Sequence, residues 1–217
     1  ELIPSGENKF LLESDFDFFQ PGHAGGKFAL THAVESQYLT GTLGYQSVSK
    51  TLKSGGSWQL RTSGVWTGQL VLEKSADGGK TWKKVKYFSR ADGEENFNAL
   101  GHLEDTADMY YLRVSSNTLN GEAGFELQAD AFIQEGIVTV EGYLNARQAV
   151  VRTERQVAFP HWTDDWAEGS FSPLSGYPAC VFFYQDRLGL AGTRREAQTV
   201  WFSKTGAHCD FGHSRDN

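Results

Sequence analysis

From Ser57 to Phe88 the chain alternates apolar and polar residues, and that period of two limits the fold more than any other feature. "SWQLRTSGVWTGQLVLEKS" sets Trp58, Leu60, Val65 or Trp66, Leu70 and Leu72 at strand-like positions. Such spacing buries one face of a strand and wets the other, and it does not suit a helix. The next residues read as a hairpin: strand "QLVLEKS", turn "ADGGK", strand "TWKKVKYF", with Trp82, Val85, Tyr87 and Phe88 as apolar positions. Asp-Gly-Gly is a strong turn signal because glycine accepts positive φ without steric cost. Composition agrees: 24 Gly, 15 Phe, 8 Tyr and 6 Trp stand against one Met, a balance that favours short strands and tight turns.

The rest of the chain is read the same way. "YYLRVSS" and "FELQADAFI" flank "NTLNGEAG", so a second hairpin is expected to turn at Asn120-Gly121. "YLNARQAVVRTER" has partial helical spacing, but its β-branched residues favour strand. "FLLESDFDFFQPGHA" is compatible with a short helix or a strand ending at Pro-Gly. "PHWTDDWAEGSFSPLSGYP" reads as a long ordered loop. "ACVFFYQDRLGLAGT" and "TVWFSKTG" read as two strands joined by "GTRREAQ".

An all-β fold follows. Residues 25–135 are expected to form an antiparallel β-sandwich inserted between a segment at 1–24 and a second, partial β domain at 136–217. The first segment is expected to belong with that C-terminal part. The 217 residues start at Glu1 and stop after "GHSRDN", which suggests a piece of a longer protein. An incomplete sheet exposes an edge, so oligomerisation is expected.

The formal net charge of -7 opposes non-specific binding to nucleic acid or anionic lipid. No apolar run approaches the roughly 20 residues needed to span a bilayer. Cys180 and Cys209 are expected to be free, partly buried thiols, since two cysteines make no disulfide framework.

"SADGGKTW" fits S-x-D-x-G-x-x-W, the Asp-box of sialidase propeller blades. Ser75, Asp77, Gly79 and Trp82 occupy its positions, and their expected duty is structural: Asp77 takes turn amides, Gly79 supplies the left-handed residue and Trp82 packs beneath. A sialidase also needs an arginine cluster, a nucleophile and a paired acid, and a propeller repeats its motif, whereas one full box occurs here. The adjacent acids Asp164-Asp165 and Glu94-Glu95 would point to opposite faces of a strand, so they do not give facing carboxyls. His208, Cys209, Asp210 and His213 lack zinc-site spacing, and His23 and His32 add little. No metal or cofactor is expected. GxSxG, P-loop and GxGxxG motifs are missing. Trp58, Trp66 and Trp82 are expected in the core.

The C-terminal stretch resembles the tail tubular or nozzle-type structural proteins of short-tailed bacteriophages. The resembling residues are Trp166, Gly169, Phe171 and Ser172; Gly176 to Pro178; Phe183, Gln185, Arg187 and Leu188; Gly192 and Thr193; then Gln198 to Trp201, Ser203, Thr205 and Gly206. "FFQPGHAGGKFALTH" and "SGVWTGQLVLEKSADGGKTW" also look like that family. Cys180 and the "AHCDFG" ending depart from its pattern.

The resemblance implies a non-enzymatic virion or prophage structural protein, assembled in the bacterial cytoplasm. Copies would form a ring around the DNA channel through contacts with one another and with portal or adaptor proteins. The inserted β domain would sit on a partial propeller-like domain. The other reading is a carbohydrate-binding β-sandwich of a glycan-active protein, which would require exposed coplanar Trp or Tyr side chains.

Overall fold

The computed structural model describes residues 2–4, 9–103 and 109–211. The fold is all-β, and its only described helix is a single 3-10 turn at Pro21–His23. Two compact units emerge: Glu1–Leu30, Gly136–Glu154 and Pro160–Asn217 form the first, and Thr31–Glu135 with Arg155–Phe159 the second.

In chain order the first strands are β1 (Leu2–Pro4), β2 (Lys9–Glu13) and β3 (Lys27–Val34). Eight more follow: β4 (Gln37–Leu43), β5 (Leu52–Ser54), β6 (Ser57–Ser63), β7 (Trp66–Ser75), β8 (Lys83–Arg90), β9 (Asn98–His102), β10 (Tyr110–Gly121) and β11 (Ala123–Ala129). The last six are β12 (Phe132–Asn145), β13 (Gln148–Arg155), β14 (Trp166–Glu168), β15 (Cys180–Tyr184), β16 (Arg187–Ala191) and β17 (Val200–Phe202).

β4 to β11 make two four-stranded antiparallel sheets, ordered β5-β10-β7-β8 and β4-β11-β6-β9. The alternation explains why they pack as a sandwich. Leu70 and Leu72 of β7 and Leu112 and Val114 of β10 join Leu60 of β6 and Leu127 of β11 in one buried cluster. Trp58 and Trp66 lie in it too, while Val65 is exposed. A bulge shifts the β10–β7 register between Ser116 and Thr118. Gly68 sits opposite with φ 112°, and a Cβ there would fall 1.7 Å from the Thr118 carbonyl oxygen, so glycine is required at this close approach.

In the first unit, β14 pairs with β3 at the edge of a sheet ordered β1-β2-β13-β12-β3-β14, and β15-β16-β17 make a separate three-stranded sheet.

Several sequence expectations are corrected. Asn120-Gly121 does not close a hairpin: β10 pairs with β5 and β7, β11 with β4 and β6, so the chain changes sheet there. "YLNARQAVVRTER" is strand, as expected, and spans the end of β12 and β13. "FLLESDFDFFQPGHA" contains β2 and the 3-10 turn. The 160–178 stretch is not all loop, because Trp166–Glu168 pairs with Phe28–Leu30. "ACVFFYQDRLGLAGT" is two strands, not one. Gln185 and Asp186 between them take φ 48° and 55°, the pattern of a two-residue type I′ turn. Cys180 and Cys209 are free but exposed rather than partly buried. No described helix is long and apolar enough to cross a membrane.

Candidate functional site

The 75–82 turn is built from the inside outward. Ser75 ends β7 and is buried. Its hydroxyl donates to Asp77 Oδ1 at 2.6 Å and accepts the Gly79 amide at 2.8 Å. Asp77 Oδ1 also accepts the Thr81 amide at 2.9 Å, and Oδ2 accepts the Thr81 hydroxyl at 2.5 Å. These donors hold the Asp77 carboxyl far below the ordinary carboxylate range, the Ser75 hydroxyl most, then the Thr81 hydroxyl and amide. Gly79 takes φ 89°, where a side chain would be strained. Its carbonyl accepts Trp82 Nε1–H at 2.9 Å.

The hairpin is then tied to its sheet. The Arg113 guanidinium lies 3.9 Å from the centre of the Trp82 ring, and Arg113 Nε donates to Glu73 Oε2 at 2.8 Å. Arg113 and Glu73 are direct partners across β10 and β7. Trp82 is therefore half-buried under a cation rather than interior, unlike Trp58 and Trp66. Three residues of this arrangement escaped the sequence reading. Thr81 had a local signal, a hydroxyl four residues after the acid. Glu73 and Arg113 had none, because only strand register brings them together.

Chemically, this carboxylate is locked. Both oxygens are occupied and the group is ionised at neutral pH, whereas a general acid or base must exchange its proton near the working pH. The hairpin stabilises a turn.

The remaining candidates are dispersed. Glu94 accepts the Ala91 amide at 2.8 Å, closing its own turn. Asp164 and Asp165 are exposed, and the Asp165 amide donates to Thr163 Oγ1 at 3.2 Å. His208 lies 3.3 Å from Asp186, and Lys204 pairs with Asp210 at 2.7 Å. His213 lies outside the described residues. Among the described residues no three His, Cys, Asp or Glu side chains gather as a metal site. The wet face of β4-β11-β6-β9 has one large exposed aromatic among its described residues, Tyr38.

His23 holds a position that the sequence did not suggest. It is buried within Phe18, Phe19 and Phe28, with Nε2 3.6 Å from Glu168 Oε1. Burial pushes its proton affinity below the ordinary imidazole value; the Glu168 charge opposes that shift and Arg195 adds to it.

The C-terminal motif residues have framework duties. Ser172 Oγ accepts the Ser175 amide at 3.0 Å, and Thr193 Oγ1 accepts the Glu196 amide at 3.0 Å. Arg187 Nε donates to Thr205 Oγ1 at 3.0 Å, and Ser203 Oγ accepts the Leu188 amide at 2.9 Å. Phe171 packs edge-on against Trp201.

The three-stranded sheet carries several exposed apolar side chains. Val181 and Phe183, 64% and 69% exposed, share one face of β15 by alternation. Tyr184, Val200 and Phe202 lie on the other face and are also exposed. Beyond β15 no further strand pairs among the described residues. No family model matches the chain, and no curated protein or solved structure matches it either.

Proposed function

We propose that this chain is a non-enzymatic structural protein of a phage or prophage tail, located in the virion and acting by protein–protein assembly. One observation carries the assembly reading: the β15-β16-β17 sheet displays large apolar side chains on both faces, and β15 has no further partner strand among the described residues. An uncharged strand, "CVFFY", with a free edge and exposed apolar side chains is the kind of element that pairs with or packs against another chain. Full burial of such a side chain from water gains about 1.5–3 kcal/mol, and these, already partly covered, would gain the share that is still exposed.

The tail attribution rests on the resemblance at Trp166 to Gly206. Residues that recur as turn-formers and strand-pinning hydroxyls belong to a scaffold. A three-stranded sheet is also one strand short of a propeller blade, which has four. The net charge of -7 suits a channel through which DNA slides, because like charge disfavours phosphate contacts.

Sedimentation of the purified chain across a concentration series tests the reading. Concentration-dependent assembly that Phe183→Lys abolishes, with the unfolding midpoint unchanged, supports it. A monomer at every concentration, or glycan-array binding without assembly, overturns it. The expected genomic context is portal and adaptor reading frames next door.

A further inference from the structure

His23 sits where three separated stretches of the first unit meet: the Pro21–His23 turn, β14, and the loop between β16 and β17. The residue is 3% exposed, and its ring stacks on Phe18 with centroids 5.0 Å apart. Nδ1 accepts the Gln20 amide at 3.0 Å. That nitrogen therefore has no proton, and the neutral ring keeps its hydrogen on Nε2.

Nε2 lies 3.6 Å from Glu168 Oε1, a buried oxygen with no hydrogen-bond partner among the described residues. The second Glu168 oxygen lies 3.5 Å from Arg195 Nη1. The Arg195 amide in turn donates to the Ser175 carbonyl at 3.0 Å, which places the β16–β17 loop on the turn before β15. The charged groups facing the imidazole are Glu168 from β14 and Arg195 from that loop. Phe18, Phe19 and Phe28 close its other sides.

A second proton on this ring must go to Nδ1, where the Gln20 N–H already points. Two donors would then oppose each other, and the amide would lose its acceptor. The new positive charge would also compete with Arg195 for Glu168.

We propose that His23 is the pin of an acid-sensitive latch: neutral, it accepts the Gln20 amide and leaves Glu168 to Arg195; protonated, it rejects the amide, draws Glu168 inward and loosens both the Pro21–His23 turn and the β16–β17 loop. The latch is independent of the assembly reading, since all its parts lie within one chain.

Two measurements on the chain test it. In spectra of protein labelled with nitrogen-15 histidine, His23 Nδ1 should be unprotonated at neutral pH, and the ring should titrate below the ordinary imidazole value. The exchange protection factor of the Gln20 amide should fall about tenfold or more between about pH 7.5 and about one pH unit below the His23 midpoint seen in those spectra. In His23→Gln that pH step should vanish; the wild-type measurements still decide the matter if this variant does not fold. Titration of His23 at or above the ordinary value, or equal Gln20 protection on the two sides of the His23 midpoint, overturns the latch.

Discussion

The β-sandwich and the three-stranded sheet are made of the same residue types and use them oppositely. In the sandwich, Leu70, Leu72 and Leu112 of one sheet join Leu60 and Leu127 of the other in a single buried cluster. In the β15-β16-β17 sheet, Val181, Phe183, Tyr184 and Phe202 stand in water on two faces. A sheet with one apolar face needs one partner layer; a sheet that is apolar on both faces needs two. The first region is closed by its own chain. The second leaves surface for another, and on that contrast the proposed function rests.

The largest expected effect tests the closed region. Trp66→Ala should lower stability by about 3–5 kcal/mol in urea unfolding, because it empties a filled interior and removes the Nε1–H that Asn96 Oδ1 accepts at 2.9 Å alongside the Thr62 hydroxyl at 3.2 Å. A loss near that of a surface substitution would break the contrast. Trp82→Ala should cost less, about 1–3 kcal/mol, since it removes a half-buried ring and its guanidinium contact. Asp77→Ala should lower the melting temperature by less again, and Asp77→Asn least of this pair, because an amide oxygen can still accept from Ser75 and Thr81. The sign with pH follows: Asp77 has its titration depressed, so its contribution is complete above the ordinary value of 3.8 and is lost as pH falls below it. Acid titration of Asp77→Asn against the wild type isolates that part. The smallest expected change is in the open region, where Phe183→Lys should move stability by no more than about 0.5 kcal/mol. A large loss there would mean that Phe183 is core after all, and the two regions would cease to differ.

Much of this was legible in the sequence. Alternation along β6, β7 and β8 announces strands, and Asp77-Gly78-Gly79 announces their turn, because both signals act over a few residues. Asn120-Gly121 misleads for a physical reason: a glycine at positive φ serves equally to fold a strand back within its sheet or to carry it across to the opposing one. Gln185-Asp186 closes a tight hairpin without any glycine, so its signal is nearly silent. The His23 cluster is invisible in the sequence, since Phe18, Glu168 and Arg195 meet it only through strand pairing and turn geometry. Cys180 and Trp82 show the same limit for burial: residue type sets a preference, and the neighbouring layer decides it.

The Ser75–Thr81 hydrogen bonds have a kinetic consequence. Each joins residues only two or four apart, so the turn closes at small entropic cost and without help from distant chain. β7 and β8 can align as soon as it forms, whereas β10 must come from across a long stretch of sequence to supply Arg113. The hairpin is thus suited to be the seed on which the sandwich condenses, and Thr81→Ala is expected to slow refolding more than it speeds unfolding.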